Sequence, residues 1–397
     1  MKRLKSVYLD TAAATSLDKG VERAMRPYFR RHFANPSSIH ASGVAAAKAV
    51  QGARAQIAKS LGTHADEIIF TSGGTEANNL ALRGSSSKLG SHIITTVIEH
   101  ASILEPLKKL SKLDEATEAV TYLPVGPDGL LDPKILVAAI KPETKLISLG
   151  YANSEIGVMQ PIAEIAKVIR KFRQDNKTPF PYLHLDACQA PRFLDLNVEK
   201  LHADLLTLGS GKIYGPKGVG CLFVRRGVPL DPMLFGGGQE KGRRSGSENV
   251  PGIVGFATAL TLAERLHEKE SKELTILRDY FIAELLKIPG AVLNGSATNR
   301  IANNINISFK NTDAELLVLR LDAAGIACST GSACSTHLKN ESHVVFALGG
   351  ELGRASSAVR FTLGRDTTKS DLKYVLKVLN KIFILFSFNF FVCSGVT

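Results

Sequence analysis

The sequence has few cysteines, and none is spaced like a zinc ligand or a redox pair. The five are Cys188, Cys221, Cys328, Cys334 and Cys393. Their odd number and the lack of a C-x-x-C pair argue against a disulfide framework and against a metal site. A small set of free thiols is typical of a protein of the reducing cytoplasm, and we expect that localisation.

Long hydrophobic runs are also missing. Residues 1–5 are basic but no apolar stretch follows them, so we expect no signal peptide. Residues 382–392 are almost wholly apolar, yet they are shorter than the ~20 residues that a membrane-spanning helix needs. We expect a helix end packed on the C-terminal domain and no membrane partner. A membrane-surface contact and an atypical end of the reading frame are the alternatives.

Dense runs of basic residues are absent, although the net charge is +12, from 49 Lys and Arg against 37 Asp and Glu. The excess is consistent with a solvated surface, or with attraction to an acidic protein, an anionic cofactor or RNA. Because no basic tail is present, we expect no direct contact with nucleic acid.

Short apolar runs alternate with helical patterns through the first two thirds of the chain. The runs cover residues 67–71, 92–96, 145–149, 182–186, 204–208 and 219–225. They are apolar on both faces, as in a parallel sheet covered by helices. Helical spacing marks residues 44–61, ending at Gly62, and residues 162–172. These features predict an α/β fold with a mostly parallel central sheet.

The pattern of strand-like and helical stretches changes near residue 265. A charged helical stretch at 267–286 precedes strand-like runs at 304–309 and 357–363, which predict a smaller α+β domain. We therefore expect a large domain over residues 1–265 and a small C-terminal domain over 266–397. The first ~14 residues are expected to pack with the small domain.

Polar residues follow the carboxyl ends of several predicted strands. They are Thr75, His100, Asn153, Asp186 and Lys212. In open α/β sheets ligands bind outside these strand ends, so the five predict one site.

Two glycines, Gly73 and Gly74, join a strand to a helix beginning near Thr75. They let the backbone approach an anion, and the helix N-terminus offers free N–H groups. A phosphate would fit there, although an ordinary tight turn has the same composition.

Asp186 and Lys212 together match the needs of pyridoxal phosphate (PLP). This cofactor requires a lysine amine for its Schiff base and a carboxylate that keeps its pyridine nitrogen protonated. Cys334 lies among small and polar residues, which suits an accessible nucleophile better than a core thiol. Arg360 is either an exposed arginine or the planar fork that binds a substrate carboxylate.

Several motifs in the expected order resemble the cysteine desulfurase family, in the class V aminotransferase group of fold-type I PLP enzymes. They are FANPSS at 33–38, TSGGTE at 71–76, NSEIG at 153–157, DACQ at 186–189, GGGQE at 236–240 and RSGS at 244–247. The likeness runs from Tyr8 to about Lys381. The Gly-Ser-Ala-Cys context of Cys334 resembles the branch with a long catalytic loop, the iron–sulfur-assembly and nitrogen-fixation type.

The resemblance implies a role for each matching residue. Lys212 would hold PLP, Asp186 would pair with its pyridine nitrogen, and His100 would stack on the ring and move protons. The phosphate would be bound by Gly74, Thr75, Ser210 and, from a second subunit of a homodimer, Ser247. Gln189 and Asn153 would contact the 3-oxygen, Arg360 and Asn35 would bind the substrate carboxylate, and Cys334 would become a persulfide. No metal is implied.

The implied reaction removes sulfur from L-cysteine, giving L-alanine and a persulfide for an iron–sulfur scaffold or a tRNA-thiolation protein. The alternatives are another class V PLP enzyme, such as a selenocysteine lyase or an aminotransferase, and a non-catalytic sulfur-transfer partner. The chain departs from the family at Gly209-Ser210-Gly211, where Ser-Gly-His commonly precedes the lysine.

Overall fold

The computed structural model describes residues 5–85, 91–113, 120–330, 341–349 and 352–393. Its strands are β1 (Val7–Tyr8), β2 (Ile68–Thr71), β3 (His92–Thr96), β4 (Val120–Leu123), β5 (Thr144–Gly150), β6 (Tyr182–Asp186), β7 (Leu205–Gly209), β8 (Gly220–Val224), β9 (Ala291–Leu293), β10 (Asn304–Phe309), β11 (Ile326–Ala327), β12 (Ser329–Thr330) and β13 (Ala358–Thr362). Its helices are α1 (Lys19–Met25), α2 (Pro27–Arg30), α3 (Ala41–Leu61), α4 (Gly74–Ser85), α5 (Ala101–Leu113), α6 (Pro133–Ala139), α7 (Ile162–Asp175), α8 (Val198–Leu201), α9 (Val250–Leu285), α10 (Ala314–Asp322), α11 (His343–Ala347), α12 (Leu352–Ala355) and α13 (Lys369–Cys393).

A seven-stranded sheet in the described part of the chain has the order β2-β8-β7-β6-β5-β3-β4. Strands β7, β6, β5, β3 and β4 are parallel, and β8 runs antiparallel to both β7 and β2. The six predicted strands are all present, so the predicted mostly parallel sheet is confirmed. Strand β4 was missed, because its half-buried VTYL sequence at the sheet edge carries a weak apolar signal.

Helices cover both faces of this sheet. Neighbouring strand residues point to opposite sides: Leu205 packs with α4 and α5, whereas Leu206 packs with α3, α7 and α9. This two-sided burial explains why the strands read as continuous apolar runs. Helix α3 ends at Gly62 with a φ of 67°, as the glycine predicted.

Helix α9 joins two hydrophobic cores. Its first turns bury Phe256 under the large sheet, and its last turns bury Phe281 in a second core. The predicted start at residue 267 is therefore wrong, since the helix begins at Val250, with the side chain of Asn249 accepting from Gly252 N. Gly252 and Gly255 weaken the helical pattern of its first turns in the sequence. Gly255 lets the helix approach its neighbours closely, since a Cβ there would lie 2.6 Å from Met25 Sδ and 3.0 Å from Pro216 Cγ.

The second core is built on an antiparallel sheet of order β12-β13-β10-β9. Strand β1 pairs in parallel with β11, so Val7 and Leu9 also enter this core. Helix α13 adds Leu372, Val375 and Leu379. The predicted boundary at residue 265 falls inside α9, and the division into two domains stays a prediction. Among the described helices, none has the length and apolarity needed to cross a bilayer.

A buried ion pair fixes the large sheet to its covering helix. Arg54 on α3 binds both carboxylate oxygens of Glu240 at 2.7 Å and also donates to Ile68 O at 2.6 Å. Glu240 in turn accepts from Phe70 N at 3.0 Å. Both side chains are almost completely buried, so neither charge has water as an alternative partner.

Glu240→Gln should lower the free energy of unfolding by about 3 kcal/mol, because Arg54 would stay buried without a counter-charge. Urea denaturation measures the change. The matched control is Glu22→Gln, in the exposed pair with Arg26, which should cost less than about 0.5 kcal/mol. Equal losses in the two variants would contradict this assignment.

Candidate active site

One cavity of about 220 Å³ lies at the carboxyl ends of the parallel strands. Thr75, His100, Asn153, Asp186 and Lys212 all line it, as their positions after strands predict. Its remaining lining includes Gly74, Gln189, Ser210 and Lys217, together with Ala13 and Ala14 of the N-terminal segment.

Asp186 ends β6 and is held as a charged group. Its Oδ1 accepts from Cys188 N at 3.0 Å, and its Oδ2 accepts from Asn78 Nδ2 at 2.7 Å. Burial pushes the pKa of this carboxyl up, but the two hydrogen bonds and the nearby charges outweigh burial, and the net pKa is lowered. Asp186 is therefore ionised at neutral pH.

Asn78 also connects Asp186 to His100. Its Nδ2 donates to Ser102 Oγ at 2.8 Å, and that hydroxyl lies 2.7 Å from His100 Nδ1. Ser102 N also donates to Nδ1 at 3.1 Å, so a neutral His100 carries its proton on Nε2. Burial, and then the charge of Lys212, lower the pKa of His100. Sequence reasoning missed Asn78 and Ser102, although each follows a predicted site residue by one helical turn or less.

Glu99 is a buried acid beside the same cavity, and it was also missed. Its carboxylate accepts from Thr96 Oγ1 at 2.6 Å and from Gly150 N at 2.8 Å. Burial raises the pKa of this carboxyl to about 7. Its position next to His100 was the only signal available in the sequence.

Two amides present side chains to the cavity while anchored elsewhere. Asn153 Oδ1 accepts from Glu155 N and Ile156 N, both at 2.9 Å, and its Nδ2 donates to Ile98 O. Gln189 Nε2 donates to Ala12 O at 3.0 Å. Each NH₂ group has a second N–H, which these contacts leave available to a ligand.

The start of α4 forms the cradle predicted for an anion. A Cβ on Gly74 would lie 2.5 Å from Cys188 Sγ, so only glycine fits there. Gly209 faces the same turn, and a Cβ on it would lie 3.4 Å from Gly74 N. Free N–H groups at the N-terminus of this helix therefore open onto the cavity.

Lys212 closes a single helical turn, Ser210–Lys212, directly after β7. Ser210 Oγ is buried against Gly215, where a Cβ would lie 2.0 Å from it. Within the described residues this hydroxyl has no hydrogen-bond partner. Its assignment to a phosphate stays a prediction.

Three of the predicted residues that the structure describes do not line the cavity. Arg360 on β13 donates to Asp10 Oδ1 at 2.8 Å and to Ser154 O at 3.1 Å. Asn35 accepts from Ser37 N in its own turn, and Ser247 is exposed. Cys334 lies outside the described residues.

The residues present fit PLP. A lysine amine, an ionised carboxylate, an imidazole and an open helix N-terminus meet in one cavity, and glycine at position 74 leaves the anion end unobstructed.

Comparisons with known proteins agree with this site. The family model for aminotransferase class-V, whose enzymes depend on PLP, matches residues 7–375. The protein named "Cysteine desulfurase IscS" from Dictyoglomus turgidum is 46% identical over 386 residues, covering 96% of this chain and 95% of the relative. A protein of the same name from Methanosarcina thermophila is 43% identical and covers 95% and 92%.

Two solved structures share the fold along nearly the whole chain. A "NifS-like protein" has a TM-score of 0.88 at 33% identity and covers 96% of this chain and 100% of its own. The structure titled "SspA in complex with cysteine" has a TM-score of 0.78 at 34% identity and covers 90% and 99%. The chain therefore belongs to the aminotransferase class-V family of PLP enzymes and, within it, to the cysteine desulfurases.

Proposed function

We propose that this enzyme removes the sulfur of L-cysteine onto Cys334, leaving L-alanine. The observation that supports it is the convergence of Lys212, Asp186 and His100 around one cavity with an open helix N-terminus. The substrate choice is also supported by SspA, a protein of the same fold at 34% identity, whose structure was solved in complex with cysteine.

Each end of the cofactor has its own set of residues. Lys212 would carry PLP on its amine, Gly74 and Thr75 at the start of α4 would take the phosphate, and Asn153 and Gln189 would bind the 3-oxygen. When bound, the cofactor supplies an electron sink at the substrate's α-carbon. Asp186, whose pKa is lowered by its hydrogen bonds and by nearby charges, would keep the pyridine nitrogen protonated.

His100 and Lys212 move protons. The lowered pKa of His100 leaves its ring neutral at neutral pH, with the proton on Nε2 and Ser102 bonded to Nδ1. Nε2 is thus the atom at which a proton is exchanged. The Lys212 amine would be the second base within the cavity.

Cys334 receives the sulfur. The thiol sulfur of the substrate leaves its β-carbon and bonds to the sulfur of Cys334, which becomes a persulfide. As the carbon–sulfur bond breaks, the β-carbon takes up one proton, which balances the proton that the Cys334 thiol loses, so cysteine and one thiol give alanine and one persulfide. This assignment rests on the Gly-Ser-Ala-Cys context of Cys334.

Arg360 would bind the substrate carboxylate beside Asp10, with which it is already paired. Its Nε is buried and has no partner within the described residues, so one donor of the fork is still unused. Asn35 would complete the carboxylate site.

The oligomer and the acceptor are further parts of the proposal. A homodimer is supported by an exposed surface on the large-sheet side, where Phe235 is 83% exposed and Leu234 is also exposed. Ser245 N donates to Leu234 O at 3.2 Å, so this surface adjoins Ser247. The persulfide would pass to an iron–sulfur scaffold or a tRNA-thiolation protein in the cytoplasm, which is our expectation from the likeness to the cysteine desulfurases.

Lys212→Ala should give a colourless protein, since Lys217, the other lysine in the described lining of the cavity, has its amine bonded to Thr15 O. Cys334→Ser should keep the colour but lose sulfide release from cysteine by at least about a thousandfold, as loss of a nucleophile does. Absorbance and sulfide assays measure the two effects. Cys328→Ser is the control: its thiol is buried in the second core and its variant should still release sulfide. Wild-type turnover by Cys334→Ser would refute the mechanism.

Asn78→Ala should weaken PLP binding about tenfold, because Asp186 loses a hydrogen bond that keeps it charged. The pKa of Asp186 rises in this variant, so its affinity should fall further between pH 8 and pH 6 than that of the parent. Titration of the apoprotein with PLP at both pH values measures it. Asn79→Ala, whose amide bonds only Thr75 O of its own helix, should bind within about twofold of the parent. Identical affinities for the two variants would contradict the role of Asn78.

Phe235→Asp should convert a dimer into a monomer, because a charge is placed in the exposed apolar surface. Sedimentation velocity measures the mass, and cofactor binding should weaken as Ser247 of the second subunit is lost. Ile276→Asp, at a position 64% exposed on α9, is the control and should stay dimeric. A monomeric parent protein would disprove the homodimer.

A further inference from the structure

Thr15, in the N-terminal segment that precedes α1, forms hydrogen bonds with residues on both sides of Lys212. Thr15 is 2% exposed and makes four hydrogen bonds to the turn that carries Lys212. Before the lysine, its N–H and its Oγ1 both donate to Gly211 O, at 3.0 and 3.1 Å. After the lysine, its Oγ1 accepts from Tyr214 N at 2.7 Å, and its carbonyl accepts from Lys217 Nζ at 2.6 Å.

The hydroxyl of Thr15 is the least replaceable of these groups. It is the acceptor for Tyr214 N–H, and Tyr214 is buried, so no water would take its place. Tyr214 also has a φ of 61°, a left-handed conformation that strains a bulky residue and persists only when neighbours enforce it.

The other side of Tyr214 is held rigidly. Its ring lies between the guanidinium groups of Arg192 and Arg365, at 4.9 and 4.2 Å, and its hydroxyl accepts from Arg365 N at 2.6 Å. The end of the turn at Tyr214 is therefore fixed. The Thr15 hydroxyl then determines the position of the part of the turn that carries Lys212.

We propose that Thr15 is a positioning residue for Lys212, and that its hydroxyl sets the geometry in which the lysine amine meets the cofactor. The proposal rests on the proposed function of Lys212. Thr15 does not line the cavity; it acts through Gly211 and Tyr214.

The test compares Thr15→Val, which removes the hydroxyl and keeps the shape, with Thr15→Ser, which restores it. Both are made in the PLP-loaded enzyme. In Thr15→Val the pH midpoint of the visible absorbance of the bound cofactor should shift by about one unit. Cofactor release should be about tenfold faster, the effect of one buried N–H left without an acceptor. The value of kcat should fall while KM for cysteine changes little. Thr15→Ser should match the parent in all three.

Thr11→Val is the matched control. Thr11 lies on the same segment and is equally buried, but its Oγ1 donates to Leu363 O at 2.8 Å and not to the Lys212 turn. Its loss should lower thermal stability without moving the absorbance midpoint. Thr15→Ala removes the same hydroxyl with a smaller side chain and replaces Thr15→Val if that variant does not fold.

A Thr15→Val enzyme that titrates like the parent, or a Thr15→Ser enzyme that titrates like Thr15→Val, would overturn the inference. Borohydride reduction and mass measurement of the parent separate the two proposals. A parent that holds no cofactor on Lys212 would refute the proposed function and the inference with it. A parent that holds it, with unchanged Thr15 variants, would refute the inference alone.

Discussion

The site depends on one buried carboxylate that stays charged. Burial disfavours the ionised form of Asp186, and the hydrogen bonds from Cys188 N and Asn78 offset that cost. Asn78 is itself held by Ser102, which also orients His100. The buried carboxylate and the imidazole of the cavity are therefore linked through a single chain of hydrogen bonds, formed where α4 and α5 pack on the sheet.

The N-terminal segment ties this site to the second core. Asp10 pairs with Arg360, Ala12 O accepts from Gln189, and Thr15 bonds the turn of Lys212. The same segment begins as β1, paired with β11. Its backbone and short polar side chains thus satisfy groups from both sheets. A movement of β13 relative to the large sheet would displace Arg360. It would also displace Arg365, which contacts Tyr214, and so would reach the turn that carries Lys212.

Most of the large sheet could be predicted from its residues, because strands buried on both faces are marked by unbroken apolar runs. The start of α9 could not, since Gly252 and Gly255 weaken the helical pattern, although each packs closely, Gly252 against Asn249 and Gly255 against Met25. Edge strand β4 was missed for the opposite reason: little of it is buried. Lys212, Asp186, His100, Asn153 and Thr75 were placed from strand ends alone, while Arg360 and Asn35 make hydrogen bonds outside the cavity.

The sequence by itself determined the order of strands and helices, and which polar residues follow the strands, because apolar periodicity and strand ends are local properties. Only the tertiary structure decided which side chains meet. Asn78 reaches Asp186 across 108 positions, and Thr15 reaches Tyr214 across 199. A hydrogen bond requires heavy atoms about 3 Å apart. That distance is set by how helices and the N-terminal segment pack on the sheet, and no local pattern of residues encodes it.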